Sequence, residues 1–265
     1  MGKTLGNINA GYGNTLGTGT TKSSILGGES NTISASTGSF IGGGGVNTIS
    51  NGSNYSFIGG GYKNAITGST SYRTSIVGGY GNTVADVYNS FIGGGYKNTI
   101  QIGSNTSIVG GGYNRIEPDP NQPSAGNKYS TIGGGKLNLI SAVSYGLGNA
   151  MSSNYSSIVG GKDNSMSAST YSTIGGGRLN NIGTPISSLT ISNNNIDSVI
   201  AGGYGNSVSY STTSSIGGGK GNTISASTGS FIEKDSVIGG GFGNTIIKTQ
   251  ESFDSSSSNF IYHIF

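Results

Sequence analysis

A short template recurs along this chain of 265 residues, and it constrains the fold more than any other feature of the sequence. Counting from an isoleucine as position 0, each of twelve copies has Ser or Thr at −2, Gly-Gly at +2 and +3, Asn at +6, and Ile, Val or Met at +8. The position-0 residues are Ile25, Ile41, Ile58, Ile76, Ile92, Ile108, Ile132, Ile158, Ile174, Ile200, Ile216 and Ile238. The shortest and commonest interval is 16 residues. Because one such unit cannot bury its own apolar side chains, the repeat predicts a solenoid of stacked units.

The residue types within each copy favour strands over helices. The copies are rich in Ile, Ser and Thr and are interrupted by glycine, which is typical of short strands separated by turns. Strand alternation puts −2, 0 and +2 on one face of a first strand, and +6 and +8 on one face of a second. The Gly-Gly pair predicts a tight bend between them. The sequence thus predicts an all-β parallel β-solenoid, a β-roll of about 12–13 coils stacked about 4.8 Å apart in a rod of roughly 60 Å.

The predicted solenoid covers residues 1–250, and residues 251–265 form a C-terminal tail. A degenerate thirteenth unit opens the chain, with Ile8 at position 0 and Leu16 at +8. The longer intervals contain insertions at 117–129, 141–153, 183–195 and 228–235. The isoleucine rows predict a dry interior. The asparagine row has two readings: hydrogen bonds from coil to coil, or local capping of turns.

The residues that flank position 0 predict a second apolar face. Strand alternation points −1 and +1 outward, and these positions include Phe40, Phe57, Phe91, Val77, Val109 and Val159. A strand that is apolar on both faces is normally buried on both. We therefore expect these residues to form an oligomer interface, which a cyclic homo-oligomer would cover on every subunit. The alternative is that they decorate an exposed sheet.

The units GSFIGGGGVNTIS, NSFIGGGYKNTIQ and SSIVGGKDNSMSAS resemble the head repeats of trimeric autotransporter adhesins, the YadA-like heads. The resemblance covers about residues 6–250. It implies a left-handed parallel β-roll that packs as a homotrimer. Similar repeats also occur in viral and phage fibre-like proteins. The chain departs from the adhesins in its Gly-Gly-Gly runs and uniform asparagine, and it shows no signal peptide, coiled-coil stalk or membrane anchor.

A row of aromatic and cationic residues follows the glycine bend at +4. It comprises Tyr62, Tyr80, Tyr96, Lys136, Lys162, Arg178, Tyr204 and Lys220. Such groups in a rigid ladder suit a host-surface glycan or an anionic protein surface. The alternative is that they lie over the backbone and keep the edge soluble. A threonine row at +7 raises an ice-binding reading, but Arg115 and Leu139 interrupt it and no second row is evident.

Composition argues against an enzyme. Charged residues make up 9% of the chain, cysteine is absent and the one histidine is His263. Thiolate metal sites, disulfides and catalytic triads therefore lack their residues. Twelve Gly-Gly pairs without a phosphate-loop motif are structural. We expect no cofactor, no metal, no nucleic-acid partner and no membrane insertion, because no basic run and no long apolar segment occurs.

These observations predict a non-enzymatic structural and adhesive protein, a trimeric fibre or spike segment on a virion or cell surface. The absence of a visible signal peptide favours a viral or phage component over a bacterial adhesin. One alternative is an extracellular filament subunit built by end-to-end stacking of solenoids. A third reading is a polysaccharide-acting β-helix enzyme that uses acidic pairs such as Glu117 with Asp119 or Glu233 with Asp235.

Overall fold

A computed structural model describes residues 6–119, 126–145, 149–183, 195–226, 233–248 and 260–261. It divides into two compact units, Met1–Ile116 and Glu117–Phe265. Across the described ranges the regular structure is entirely β, with no helix. The prediction of an all-β parallel β-solenoid is confirmed in both units.

The first unit contains strands of two to six residues in its described part. They are β1 (Asn7–Ile8), β2 (Thr15–Leu16), β3 (Ser24–Ile25), β4 (Thr32–Ile33), β5 (Phe40–Ile41), β6 (Thr48–Ile49), β7 (Phe57–Ile58), β8 (Ala65–Thr67), β9 (Ser75–Ile76), β10 (Thr83–Tyr88), β11 (Phe91–Ile92), β12 (Thr99–Ser104), β13 (Ser107–Ile108) and β14 (Arg115–Glu117). The odd-numbered strands form one parallel sheet and the even-numbered strands form another. Each coil therefore gives one strand to each sheet, in the order that the repeat predicts.

The register of both sheets follows the template. Ile25 pairs with Ile41 in the first sheet, and Ile33 pairs with Ile49 in the second. The degenerate opening unit is a true coil, because Ile8 pairs with Ile25 and Leu16 pairs with Ile33.

The second unit begins at Glu117 and repeats the same arrangement over its described residues. Its strands are β15 (Asn127–Lys128), β16 (Thr131–Ile132), β17 (Leu139–Ser141), β18 (Val143–Tyr145), β19 (Asn149–Met151), β20 (Ser157–Ile158), β21 (Ser165–Ser167), β22 (Ser169–Thr170), β23 (Thr173–Ile174), β24 (Asn181–Gly183), β25 (Asn195–Ile196), β26 (Val199–Ile200), β27 (Ser207–Ser209), β28 (Ser211–Thr212), β29 (Ser215–Ile216), β30 (Thr223–Ala226), β31 (Glu233–Lys234), β32 (Val237–Ile238), β33 (Thr245–Lys248) and β34 (Phe260–Ile261). The first sheet has the order β16-β20-β23-β26-β29-β32-β34, and the second has the order β17-β21-β24-β27-β30-β33.

Each coil has more sides than the two strands that the sequence predicts. In the second unit, β22-β25-β28-β31 form a third parallel sheet from residues at −5 and −4. In the first unit the same positions make isolated parallel bridges, such as Tyr72 with Tyr88. The stretch predicted as a looser turn is therefore also in register from coil to coil.

The interior combines apolar and polar rows. The isoleucines at 0 and +8 are fully buried in the middle of each unit, for example Ile92 and Ile100. Burying an isoleucine contributes roughly 2 kcal/mol, so these rows are the main source of stability. Beside them lie buried hydroxyls at −2, such as Ser90 and Thr106, whose Oγ atoms are 3.0 Å apart. The interior is thus an isoleucine core bordered by a polar ladder.

The asparagine at +6 fulfils both of its predicted roles. Asn98 Nδ2 donates to Gly94 O of its own coil at 2.9 Å, which closes the glycine turn. The same amide donates to Gly111 O at 3.1 Å, and Asn98 Oδ1 accepts from the backbone N–H of Asn114 at 3.0 Å. These bonds join one coil to the next, and because Asn98 is fully buried they also satisfy its polar side chain.

The two template glycines have different environments. At +3, Gly79 has a φ of 90°, and a Cβ there would overlap the carbonyl oxygen of Gly95 in the next coil. This confirms a bend that only glycine permits. The prediction that +2 packs inside is wrong, because a Cβ on Gly78, Gly110 or Gly134 would meet no atom within 4 Å.

The insertions are described only in part. Val143–Tyr145 and Asn149–Met151 form an antiparallel hairpin, with Val143 opposite Met151. Asn127 is buried and belongs to a coil, since its Nδ2 donates to Glu117 O at 2.8 Å. Residues 120–125, 184–194 and 227–232, which hold much of the other predicted insertions, lie outside the described residues.

Candidate functional site

The outer surface of the first sheet carries the predicted oligomer interface, and we call it the outer apolar face. In the first unit it includes Phe40, Phe57, Phe91, Val77 and Val109, and in the second unit it includes Val159. Phe57 and Phe91 are each 38% exposed, while Val109 is 56% exposed. These residues point outward as predicted, because their neighbours in the strands, the position-0 isoleucines, point inward.

The phenylalanines lie flat along the outer apolar face. Phe40 and Phe57 stack with ring centroids 5.7 Å apart and an interplanar angle of 2°. The ring of Phe57 covers Gly59 of its own coil, where a Cβ would lie 3.3 Å from the ring edge. The closer obstacle to a Cβ on Gly59 is the carbonyl oxygen of Val77 in the next coil, so glycine at +1 leaves room both for this backbone and for the ring. A level apolar surface is suited to packing against another regular surface.

The residues predicted as a binding row are in register within each unit, and we call them the +4 row. In the first unit Tyr62, Tyr80 and Tyr96 are joined by parallel bridges, and their rings stack at 5.6 and 5.1 Å. Lys63 and Lys97 lie over these rings at 5.4 and 5.2 Å from the centroids. Stacked rings with cations above them form a rigid, exposed ladder.

In the second unit the +4 row is mainly cationic. Lys136, Lys162 and Arg178 occupy three coils joined by parallel bridges. Asp163 lies 3.9 Å from Lys162 and 3.8 Å from Arg178. The row continues through Tyr204, Lys220 and Phe242. Lys220 approaches the ring centroids of Tyr204 at 5.7 Å and Phe242 at 5.5 Å.

One cluster in the +4 row has perturbed ionisation. A hydrogen bond from Tyr113 and then one from Lys97 lower the pKa of Tyr96, because both stabilise its phenolate. The hydrogen bond with Tyr96 raises the pKa of Tyr113 and that of Lys97. Tyr96 and Tyr113 are 41% and 37% exposed, so solvent screens the interaction and the effect is local.

A second aromatic row was not predicted from the sequence, and it occupies position −3, so we call it the −3 row. Tyr129, Tyr155 and Tyr171 stack with centroids 4.8 and 4.9 Å apart. Each is about half exposed and has a left-handed backbone, with φ between 53° and 55°. Aligning the copies by column would have revealed these tyrosines, but the −3 column also contains charged and small residues that conceal them.

The threonines of the +7 row, such as Thr32 and Thr48, are half-buried in the second sheet. The interruptions remain, with Arg115 exposed in β14.

The two predicted carboxylate pairs are described only in part. Asp119 is buried and the side chain of Glu233 lies outside the described residues. No group of three metal-ligating side chains occurs among the residues that the structure describes. None of these residues forms a helix long and apolar enough to cross a membrane.

Compared with known proteins, the chain matches no family model and no curated relative. The site must therefore be interpreted from its own geometry.

Proposed function

We propose that the chain is a non-enzymatic structural protein that assembles as a parallel homo-oligomer, a trimer by its resemblance to YadA-like heads, and forms a fibre or spike segment on a virion or cell surface. The observation that carries this proposal is the outer apolar face. Its exposed Phe and Val side chains recur from coil to coil on a level sheet, and a monomer would leave them in water.

A closed cyclic assembly accounts for this face better than other arrangements. The face runs along the stacking direction in each unit, so a lengthwise neighbour covers all of it. Cyclic closure gives every subunit the same cover and leaves no unmatched face. End-to-end stacking, the filament alternative, would leave the outer apolar face exposed.

Replacing Phe57 and Phe91 by Asp tests the assembly. Two carboxylates within an apolar interface lose hydration without gaining partners, so the oligomer should dissociate. Sedimentation at micromolar concentration measures the result. The matched control replaces Thr48 and Thr83 by Asp. These threonines are likewise separated by one coil, on the outward side of the second sheet, and their replacement should leave the oligomer intact. A wild-type monomer at that concentration overturns the proposal, and long filaments favour the alternative.

The adhesive part of the proposal concerns a glycan or an anionic protein as ligand of the +4 row. Its exposed cations and aromatic rings support such contacts. Binding of the wild-type assembly to a sulfated polysaccharide, and its loss on substitution of the row, tests this part separately.

A further inference from the structure

The −3 row and the +4 row are the two borders of the outer apolar face. The −3 residue precedes the first strand of each coil at a left-handed backbone position, as in Tyr155 with a φ of 53°. The +4 residue follows the glycine turn that ends the same stretch, as in Lys162 after Gly161 with a φ of 88°. Lengthwise neighbours that together cover the face must therefore contact both borders.

In the second unit the two borders carry complementary side chains coil by coil. Three successive coils of the stack have a tyrosine at −3 and a cation at +4: Tyr129 with Lys136, Tyr155 with Lys162, and Tyr171 with Arg178. The three rings are half exposed and stacked, and the three cations are in register. A cation against the π-system of an aromatic ring is a favourable contact.

In the first unit two coils have the exchanged arrangement, with the cation at −3. Lys22 at −3 shares its coil with Glu29 at +4, and Arg73 at −3 shares its coil with Tyr80. Where −3 is Gly38, the +4 residue is also glycine, Gly45. These three coils are matched, whereas Tyr55 at −3 shares its coil with Tyr62 at +4.

We propose that the −3 row of one chain contacts the +4 row of an identical neighbour that runs parallel to it with its coils at the same height. The inference rests on the proposed function, because it specifies how the homo-oligomer is held in register. In a cyclic assembly whose axis follows the stacking direction, equal coils lie level and the opposite borders of adjacent chains meet.

Because each coil rises along the stack, a −3 residue can contact two +4 residues of the neighbouring chain. A coil advances about 4.8 Å, so its +4 residue lies roughly 2 Å beyond its −3 residue and roughly 3 Å short of the next −3 residue. Each −3 residue therefore lies between two +4 residues of the neighbour, one from the same coil and one from the preceding coil. Asp197 then lies beside Arg178, and Asp235 lies beside Lys220. In this arrangement every tyrosine and aspartate of the −3 row in the second unit lies beside a +4 cation of the neighbouring chain.

A linear polyanion explains less of this pattern. Like charges in register on adjacent strands repel, and Asp163 offsets this only for Lys162 and Arg178. A polyanion bound to the +4 row would relieve the same repulsion, but its binding would not require tyrosine or aspartate at −3. The exchange of roles at Lys22 and Glu29 follows from self-contact, where both borders must match.

Charge reversal with rescue tests the contact. The first variant combines Lys136→Glu, Lys162→Glu and Arg178→Glu. It should sediment as a monomer at a concentration where the wild type is oligomeric, and the dissociation constant of the oligomer should rise at least about tenfold. Adding Tyr129→Lys, Tyr155→Lys and Tyr171→Lys to that chain should restore the oligomer, because each interface regains opposite charges. The matched control, with Ser165→Glu, Ser207→Glu and Thr223→Glu on the outer side of the second sheet, should remain assembled.

The outcomes separate this inference from the proposed function. A monomeric wild type overturns the function and the inference with it. If the wild type is oligomeric and the charge-reversed variant stays oligomeric, the inference alone is overturned. If that intact oligomer also loses heparin binding, the +4 row is assigned to a polyanion. Dissociation without rescue also overturns it. If the reversed variant loses its β-sheet circular dichroism, the variant with only the three Tyr→Lys changes should dissociate, and an intact oligomer there counts against the contact.

Discussion

Residues at recurrent positions adopt backbone conformations that the coil requires, whatever their type. Position −3 is left-handed in coils that place Lys22, Tyr55, Asn89 or Thr213 there, although this conformation costs a non-glycine residue about 1 kcal/mol or more. The stacking of the coils offsets this conformational cost, because the same turn must recur in each coil for the next strand to pair in register. The side chains at these turns point to solvent, so their chemistry is available for recognition.

The two template glycines provide a matched pair of variants. Gly79→Ala should lower the free energy of unfolding by about 3 kcal/mol or more, because its left-handed φ is unfavourable for alanine and its Cβ overlaps the carbonyl of Gly95. Gly78→Ala should change it by less than about 1 kcal/mol, since a Cβ there meets no atom within 4 Å. Urea unfolding measures both. Equal losses would show that the bend is not located at +3.

The Tyr96 cluster makes a prediction about ionisation. The lowered pKa of Tyr96 depends first on the hydrogen bond from Tyr113, so Tyr113→Phe should raise the pKa of Tyr96 toward its ordinary value. Ultraviolet titration of the phenolate, with Tyr12→Phe as a control from a distant coil, measures the shift. An unchanged Tyr96 titration in Tyr113→Phe would mean that the hydroxyls do not interact in solution.

Because most strands here have only two residues, the sequence could predict those strands whose positions carry one residue type in nearly every copy of the repeat. The isoleucine rows, the bend at +3 and the outward Phe57 were predictable because each depends on one residue type that recurs at a fixed interval. The third row of pairs at −5 and −4 was not, because those columns mix Ser, Thr, Val, Asn and Tyr. The −3 row was missed for the same reason. The antiparallel pairing of Val143–Tyr145 with Asn149–Met151 has no counterpart among the other coils that the structure describes, so periodicity could not predict it.

The strand β12 tests the inward rows separately from the outward rows. Ile100→Asp places an unpaired carboxylate among buried isoleucines and should cost more than about 4 kcal/mol. Its neighbour Gln101 is exposed, so Gln101→Asp should stay within about 0.5 kcal/mol. Hydrogen exchange of the coils around β10, β12 and β14 reports the local loss. Slow exchange throughout these coils in Ile100→Asp would contradict an inward isoleucine row.

Each of the two units is a stack whose coils contact mainly their immediate neighbours, and this makes the stability of a unit nearly a sum over its coils and their interfaces. The same property couples folding to assembly. Each coil presents its own segment of the outer apolar face and its own pair of border residues, so a correctly stacked unit has its part of the interface in register. A shift of the stack within one chain would misplace both borders relative to a neighbour.

Deleting one complete period from the first unit tests this coupling. Removal of residues 93–108 joins Ile92 to Val109, which keeps 0 and +1 adjacent and lets the remaining coils stack as before. The shortened chain should fold, unfold at a similar urea concentration and remain oligomeric, because only the fused coil, with Asn89 at −3 and Gly112 at +4, has a new border pair. Removal of only residues 93–100 joins Ile92 to Gln101 and deletes Asn98, so the glycine turn and the amide ladder are both lost at that coil. That variant should lose β-sheet circular dichroism and assembly together, as measured by thermal unfolding and sedimentation. Failure of the sixteen-residue deletion to fold would show that the coils are not interchangeable units and that the stack depends on contacts beyond nearest neighbours.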